Sequence, residues 1–264
     1  MGLPPPSPDT TCVVTGASSG IGAELARELS RRGHHVTLVA RREERLRELA
    51  AELGAGAGVH AADVADPDAR LGLAEALATR GTAVAVLVNN AGFGTSGPFV
   101  KGDREREVEM VRTNVEAVVD LCALFVPAMA QRGTGAVLNV ASTAAFQPVP
   151  MQAAYAATKA FVLSLTESLH AELSGTGVAV TALCPGPVKT EFADVAEIPG
   201  HEALPGVFWA GAEAVARAGI EGLERGKRVV VPGALNRVGA LGGQHAPRSL
   251  VLRLTSRVHP AARK

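Results

Sequence analysis

The chain has 264 residues, 26 basic and 26 acidic side chains and 47% hydrophobic residues, a size and balance that suit one α/β domain around one large core. Aromatic residues are only 3% of the total and the net charge is zero, which argues against a stacking surface for single strands and against an electrostatic footprint for nucleic acid. Cys12, Cys122 and Cys184 form no CxxC pair and the seven histidines show no ligand spacing, so neither disulfides nor a metal site is expected, and a reducing cytoplasm is the expected compartment.

Residues 1–9 lack the charged and apolar regions of a signal peptide and read as a disordered, Pro-rich leader. No apolar run approaches the roughly 18–20 residues of a membrane span. From residue 10 onward, short β-branched runs alternate with longer helical stretches. Strands are predicted near 12–15, 35–40, 59–62, 84–88, 136–141, 178–183 and 228–231. Helices are predicted near 21–32, 42–53, 67–80, 103–112, 114–131, 152–173 and 212–225, several of them closed by Gly33, Gly54, Gly81, Gly133 or Gly226. Such alternation builds a doubly wound parallel sheet of about seven strands with helices on both faces, one α/β domain over 10–233. A basic extension, 234–264, comes after it. From Arg225 onward lie nine of the basic residues and none of the acidic ones.

The first predicted strand runs into Thr15-Gly16-Ala17-Ser18-Ser19-Gly20-Ile21-Gly22, where a helix opens. Glycines there let the backbone approach a pyrophosphate, and the helix N-terminus favours the anion. Taken alone, the run also fits an ordinary tight turn. The second strand ends in Val39-Ala40-Arg41-Arg42 with no acid before the arginines. An acid at that place accepts from the ribose 2′-hydroxyl of NAD, whereas arginine accommodates the 2′-phosphate of NADP. Two cations at a helix N-terminus oppose its dipole by about 0.3–1 kcal/mol each, which a phosphate partner would explain; a solvated helix face is the alternative. Asp63, after the third strand, reads as a helix cap or as an acceptor for an adenine amine.

Tyr155 is the single tyrosine, and Lys159 lies one turn later on the same face of a predicted helix. A nearby ammonium favours the phenolate, so Tyr155 is expected to titrate below the usual phenol range, where an acid/base catalyst works at neutral pH. On its own the pair is a frequent helical accident. Ser142 ends the fifth strand, Asn89-Asn90-Ala91-Gly92 the fourth and Pro185-Gly186-Pro187-Val188-Lys189-Thr190 the sixth, and Asn114 lies in the helical region between; all fall at the edge where open α/β sheets bind ligands.

Together these motifs resemble, over roughly residues 10–233, the short-chain dehydrogenase/reductase family in its NADP-using branch, with a Rossmann-like fold. The resemblance implies an NADP(H)-dependent oxidoreductase interconverting a carbonyl and an alcohol. Tyr155 would exchange the proton, Lys159 would lower its pKa and hold the nicotinamide ribose, Ser142 would bind the carbonyl oxygen, and Asn114 would anchor a water. It places Gly16, Ser18, Ser19, Gly20, Ile21 and Gly22 at the cofactor phosphates and ribose, with Arg41 and Arg42 at the 2′-phosphate. Asp63 and Val64 would meet the adenine, Asn90, Ala91 and Gly92 the ribose side, and Pro185, Gly186, Val188 and Thr190 the nicotinamide end. It also implies a homodimer or homotetramer built from the helices near 114–131 and 152–173.

Phe93, Phe146, Met151 and the apolar residues of 191–211, among them Phe192 and Trp209, suggest a pocket for a lipophilic ketone, aldehyde or alcohol. The alternative is a noncatalytic NADP-binding sensor, but such a protein is expected to lack one of Ser142, Tyr155 and Lys159. In the tail, 248–259, Leu250, Val251, Leu254 and Val258 share a helical face edged by Arg253 and Arg257. That face is expected to pack on protein ahead of peripheral contact with an anionic membrane.

Overall fold

The structure, a computed structural model, describes residues 2–192, 196 and 209–258, with the backbone alone for 254–258. Seven strands form one parallel sheet: β1 Thr10–Thr15, β2 Val36–Ala40, β3 Ala57–Ala61, β4 Ala83–Asn89, β5 Gly135–Val140, β6 Val178–Leu183 and β7 Val229–Val230. Their order is β3-β2-β1-β4-β5-β6-β7. All seven lie within two residues of the expected bounds. The helices are α1 Gly20–Arg31, α2 Glu43–Leu53, α3 Pro67–Thr79, α4 Arg104–Val111, α5 Ala117–Arg132, α6 Ala153–Glu172, α7 Ala212–Glu224, α8 Ala234–His245 and α9 Arg248–Val258.

Strands β5 and β6 are buried along their whole length, as continuous apolar runs in a parallel sheet covered on both faces. One face carries α1, α2 and α7 through Leu25, Leu29, Leu46, Val215, Ile220 and Leu223. The other carries α3, α5 and α6 through Leu73, Leu121, Phe125, Met129 and Val162. Gly33, Gly54, Gly81, Gly133 and Gly226 all have positive φ, the conformation in which glycine commonly ends a helix.

Three expectations need correction. The leader is not disordered over its described residues: Leu3 packs on the core, Pro4 is buried, and the Asp9 carbonyl accepts from the Ala83 amide at 3.0 Å. The extension holds two helices rather than one, and α8, unanticipated because Gly239, Gly242 and Gly243 weaken its helical signal, packs against the short 3₁₀ helix Thr143–Phe146. Finally, α4 and α5 join through a π turn, Arg112–Glu116, into a continuous helix, Arg104–Arg132, that is long and apolar enough by composition to cross a bilayer. Half of its most apolar stretch is buried inside the domain, as in the core helix of a folded protein.

A buried arginine fixes that helix to the sheet. Arg70 on α3 donates from Nη1 to the Val64 carbonyl at 2.7 Å, from Nη2 to Glu116 at 2.8 Å and from Nε to Asp120. Its guanidinium joins the loop after β3 to the π turn and to α5. Burial would lower its pKa, but the hydrogen bonds to Glu116 and Asp120 raise it, so the group stays charged. Arg70→Leu strands the Val64 carbonyl and removes the tie from α3 to the solvent-accessible Glu116 and Asp120, and is expected to lower stability by roughly 1–3 kcal/mol in urea denaturation. A loss below about 0.5 kcal/mol, the level of an ordinary surface substitution, would refute this role.

Candidate active site

Strand order reverses between β1 and β4, and the crevice at their carboxyl ends is where an open α/β sheet receives ligands. Thr15 closes its floor. Its hydroxyl donates to the Val88 carbonyl at 3.2 Å and accepts from the amides of Asn90 and Ala91, each at 3.0 Å. Asn90 answers by donating to the Thr15 carbonyl at 2.9 Å. The phosphate loop then turns sharply over this floor. Gly16 has φ 65°, and a Cβ there would sit 2.8 Å from the Ala91 Cα; a Cβ on Gly22 would overlap the Gly16 carbonyl oxygen and the Asn90 amide. Side chains are thus excluded where a cofactor backbone must approach.

The loop fits a pyrophosphate. Helix α1 has no side-chain cap and no acid in its first turn, so its leading amides and dipole face the crevice. Ser19, at its N-cap, accepts instead from Arg42 Nη2 at 2.8 Å, and Ser18 accepts from the same nitrogen at 3.0 Å. Thr190 closes on the loop from the far side, its methyl 3.0 Å from where a Cβ on Gly20 would lie. Ile21 packs on the core beneath.

The two arginines part company. Arg42 lies over Ser18 and Ser19 and also donates to Glu191 at 2.9 Å, while Arg41 turns toward Asp63 at 3.6 Å and Glu109 at 3.5 Å. The Arg42 hydrogen bond holds the Glu191 carboxyl below its usual range. Asp63 does not cap α3; Asp66 does, accepting from the Asp68 amide, and Asp63 Oδ1 accepts from the Ala65 amide at 3.0 Å. Val64, beside it, is buried, with its carbonyl held by Arg70.

Ser142, Tyr155 and Lys159 come together beneath the loops after β4, β5 and β6. Tyr155 is 7% exposed and Lys159 5%. Lys159 Nζ donates to the Val140 carbonyl at 2.8 Å and lies 5.9 Å from the centre of the Tyr155 ring. Ser142 caps the 3₁₀ helix, accepting from the Ala144 amide at 3.1 Å. Asn114, set in the π turn, accepts from the Phe93 amide at 3.2 Å, donates to the Phe93 carbonyl at 2.9 Å and donates to Thr158 Oγ1 at 3.1 Å. It clamps the loop that carries Asn90, Ala91 and Gly92 to α6; a Cβ on Gly92 would press on Asn114 Oδ1. Pro185 accepts through its carbonyl from the Thr143 amide, and Val188 forms a bridge with Ala210.

The expected direction of the Tyr155 shift is wrong for the protein as it stands. Burial pushes the phenol up to about 12, against an opposing interaction with Ser142. Burial likewise pushes the Lys159 ammonium down to about 8. Desolvation penalises the charged form of each group, and at Tyr155 it outweighs the hydrogen bond with Ser142.

Several contributors escaped the sequence reading. Thr15 and Thr158 lay unremarked inside matched motifs. Arg70 was not singled out, and Asn236, whose side chain lies 2.5 Å from where a Cβ on Gly186 would be, fell outside the expected domain. Phe192 stacks obliquely on Tyr155 with ring centres 5.4 Å apart. The rest of the predicted substrate segment, 193–195, 197–208 and with it Ile198, Leu204, Val207 and Phe208, lies outside the described residues.

Comparison with known proteins agrees with this geometry. The short chain dehydrogenase family model matches residues 10–197. A putative ketoacyl reductase of Streptomyces coelicolor is 38% identical over 205 residues, 73% of this chain and 78% of that protein. The solved short-chain dehydrogenase from Sphingobium yanoikuyae in complex with NADPH is 36% identical, with a TM-score of 0.80 over 89% of this chain and 92% of that one. A 7β-hydroxysteroid dehydrogenase is 25% identical, with a TM-score of 0.84 over 97% of this chain and the whole of that one. The chain belongs to the short-chain dehydrogenase family and is an oxidoreductase.

Proposed function

We propose that the enzyme interconverts a ketone or aldehyde and its alcohol, on a lipophilic small molecule. The observation that carries the reading is the meeting of Ser142 with the buried Tyr155 and Lys159 at the carboxyl edge of β4, β5 and β6, with Asn114 bracing the loop above them. NADP(H), when bound, supplies or accepts the hydride. Ser142 orients the carbonyl oxygen, and Tyr155 gives it a proton in reduction or takes one from the alcohol in oxidation. Lys159, held by the Val140 carbonyl, places a positive charge beneath Tyr155 that stabilises the phenolate left when the proton departs. Arg42, poised on Ser18 and Ser19, binds the 2′-phosphate. Phe192 against Tyr155, together with the likeness to a hydroxysteroid dehydrogenase, supports a lipophilic substrate. The three buried, unpaired cysteines suit the reducing cytoplasm.

Tyr155→Phe removes the exchangeable proton and almost no volume. Its kcat with NADPH and a panel of ketones should fall by about 10²-fold or more. The NADPH dissociation constant should stay within about threefold, and a kcat within tenfold of wild type would overturn the assignment.

Lys159→Met should abolish turnover and stabilise the fold. With the folded ammonium titrating near 8 and an unfolded lysine near 10.4, the unfolded chain binds more protons between those values. Wild-type stability should therefore rise with pH across that window, and the buried charge should weaken the fold below it. The variant should gain about 1–3 kcal/mol near pH 7 and lose this dependence, as measured by urea denaturation at neutral and alkaline pH. A variant less stable than wild type at both values contradicts the argument.

Arg42→Ala should weaken NADPH binding at least tenfold, the equivalent of roughly 1.5–3 kcal/mol for a charge-assisted contact, and leave NADH nearly unchanged. Equal losses for the two cofactors in direct titration would show that Arg42 does not read the phosphate.

A further inference from the structure

Helix α8 has two unlike faces. Its inner face, Asn236, Ala240 and Gly243, lies on the loops after β5 and β6: Asn236 against Gly186, and Gly243 against the Gln147 side chain, with Ala240 buried. Its outer face repeats apolar residues in successive turns. Leu235 is 47% exposed, Val238 68% and Leu241 51%. Arg237 lies exposed beside them, and α9 opens with exposed Arg248 and Leu250. All of this falls within the stretch from Arg225 to Lys264 that holds nine basic residues and no acid.

We propose that this outer face of α8, with the basic residues around it, docks on an anionic lipid surface. An exposed apolar stripe with Arg237 and Arg248 beside it matches the chemistry of a headgroup and acyl boundary, where leucine and valine leave water and arginine meets phosphate. A second copy of the chain fits less well, because a two-fold contact lays this surface on itself and brings the like charges of Arg237 and Arg248 together. Nucleic acid would accept the arginines but gain nothing from Val238 and Leu241. The docked helix is the same one whose inner face rests on the loops at the predicted Ser142 edge of the site, so the enzyme would meet the bilayer from its substrate side. This extends the lipophilic reading of the site, but binding is measured without substrate, so either idea can fail alone.

The test uses the full-length protein in sedimentation with vesicles of phosphatidylcholine alone and of phosphatidylcholine with phosphatidylglycerol in equal parts. Salt is kept low enough for the screening length to exceed about 20 Å. Binding is expected to the anionic vesicles only and should be released by added salt. Val238→Ser combined with Leu241→Ser should weaken it at least about fivefold, through loss of buried apolar area, with ketone reduction by NADPH unchanged. No sedimentation at low salt overturns the proposal. So does undiminished binding by the double variant, which would mean that charge alone holds the protein, as on an acidic macromolecule. A double variant that instead shifts the oligomeric state in light scattering would assign the face to a second copy and overturn it as well.

Discussion

The chain leaves β1 to build one edge of the sheet and returns at β4 to build the other, so the loops after β1 and β4 turn to opposite faces and leave a gap between them. That gap is a topological necessity of a doubly wound sheet, and the loops flanking it can approach each other only if something satisfies their backbone groups. Thr15 and Asn90 do so, exchanging four hydrogen bonds across the seam between them and their neighbours. Because this floor is saturated from within, the glycine turn above it can leave the leading amides of α1 pointing outward. The phosphate loop, the loop clamped by Asn114 and the end of β5 all take their positions from this seam.

Much of the architecture was legible because burial writes itself into parallel strands as unbroken apolar runs, and Val84–Val88 or Val178–Leu183 admit few other readings. Glycine punctuation did the same for helix ends. What stayed hidden depended on partners distant in sequence. Arg70 meets Glu116 and Asp120, and nothing in its neighbourhood along the chain distinguishes it from a solvated arginine. Leu3 and Pro4 are apolar but too few to predict that they would be covered. The glycines of α8 lower its intrinsic helicity, yet Gly243 is needed so that the helix can lie against Gln147. Among the candidate site residues, the motifs identified which side chains meet at the crevice but not how each is held: Arg41 and Arg42 are adjacent in sequence and point to different partners.

Tyr155 and Lys159 show why spacing alone misjudges electrostatics. Proximity of an ammonium to a phenol is a pairwise attraction that can be read from a helical repeat, whereas desolvation depends on everything packed around both groups and can be read only from the fold. In this protein the second effect dominates, and the lysine is retained in a place where an apolar side chain would be easier to accommodate. Such a site works against the stability of the domain that carries it, and the single carbonyl of Val140 is its only hydrogen-bonded compensation among the described residues.

The π turn at Arg112–Glu116 accommodates one residue more than an α-helix would in the same rise. In an unbroken α-helix an added residue would turn everything downstream by about 100°; the widened turn takes it up locally, so α4 and α5 keep the facing they would have without it. Met110 on one side and Leu121 on the other are both fully buried under that phasing, and Thr113 and Asn114 face inward between them. Drawing the same residues into an unbroken α-helix would turn α5 by about 100° relative to α4 and swing either Met110 or Leu121 out of the core, whereas losing one residue would leave both where they are. The extra residue is therefore free of the packing of both helices and available to the site: it widens the turn from which Asn114 reaches the Phe93 backbone and Thr158.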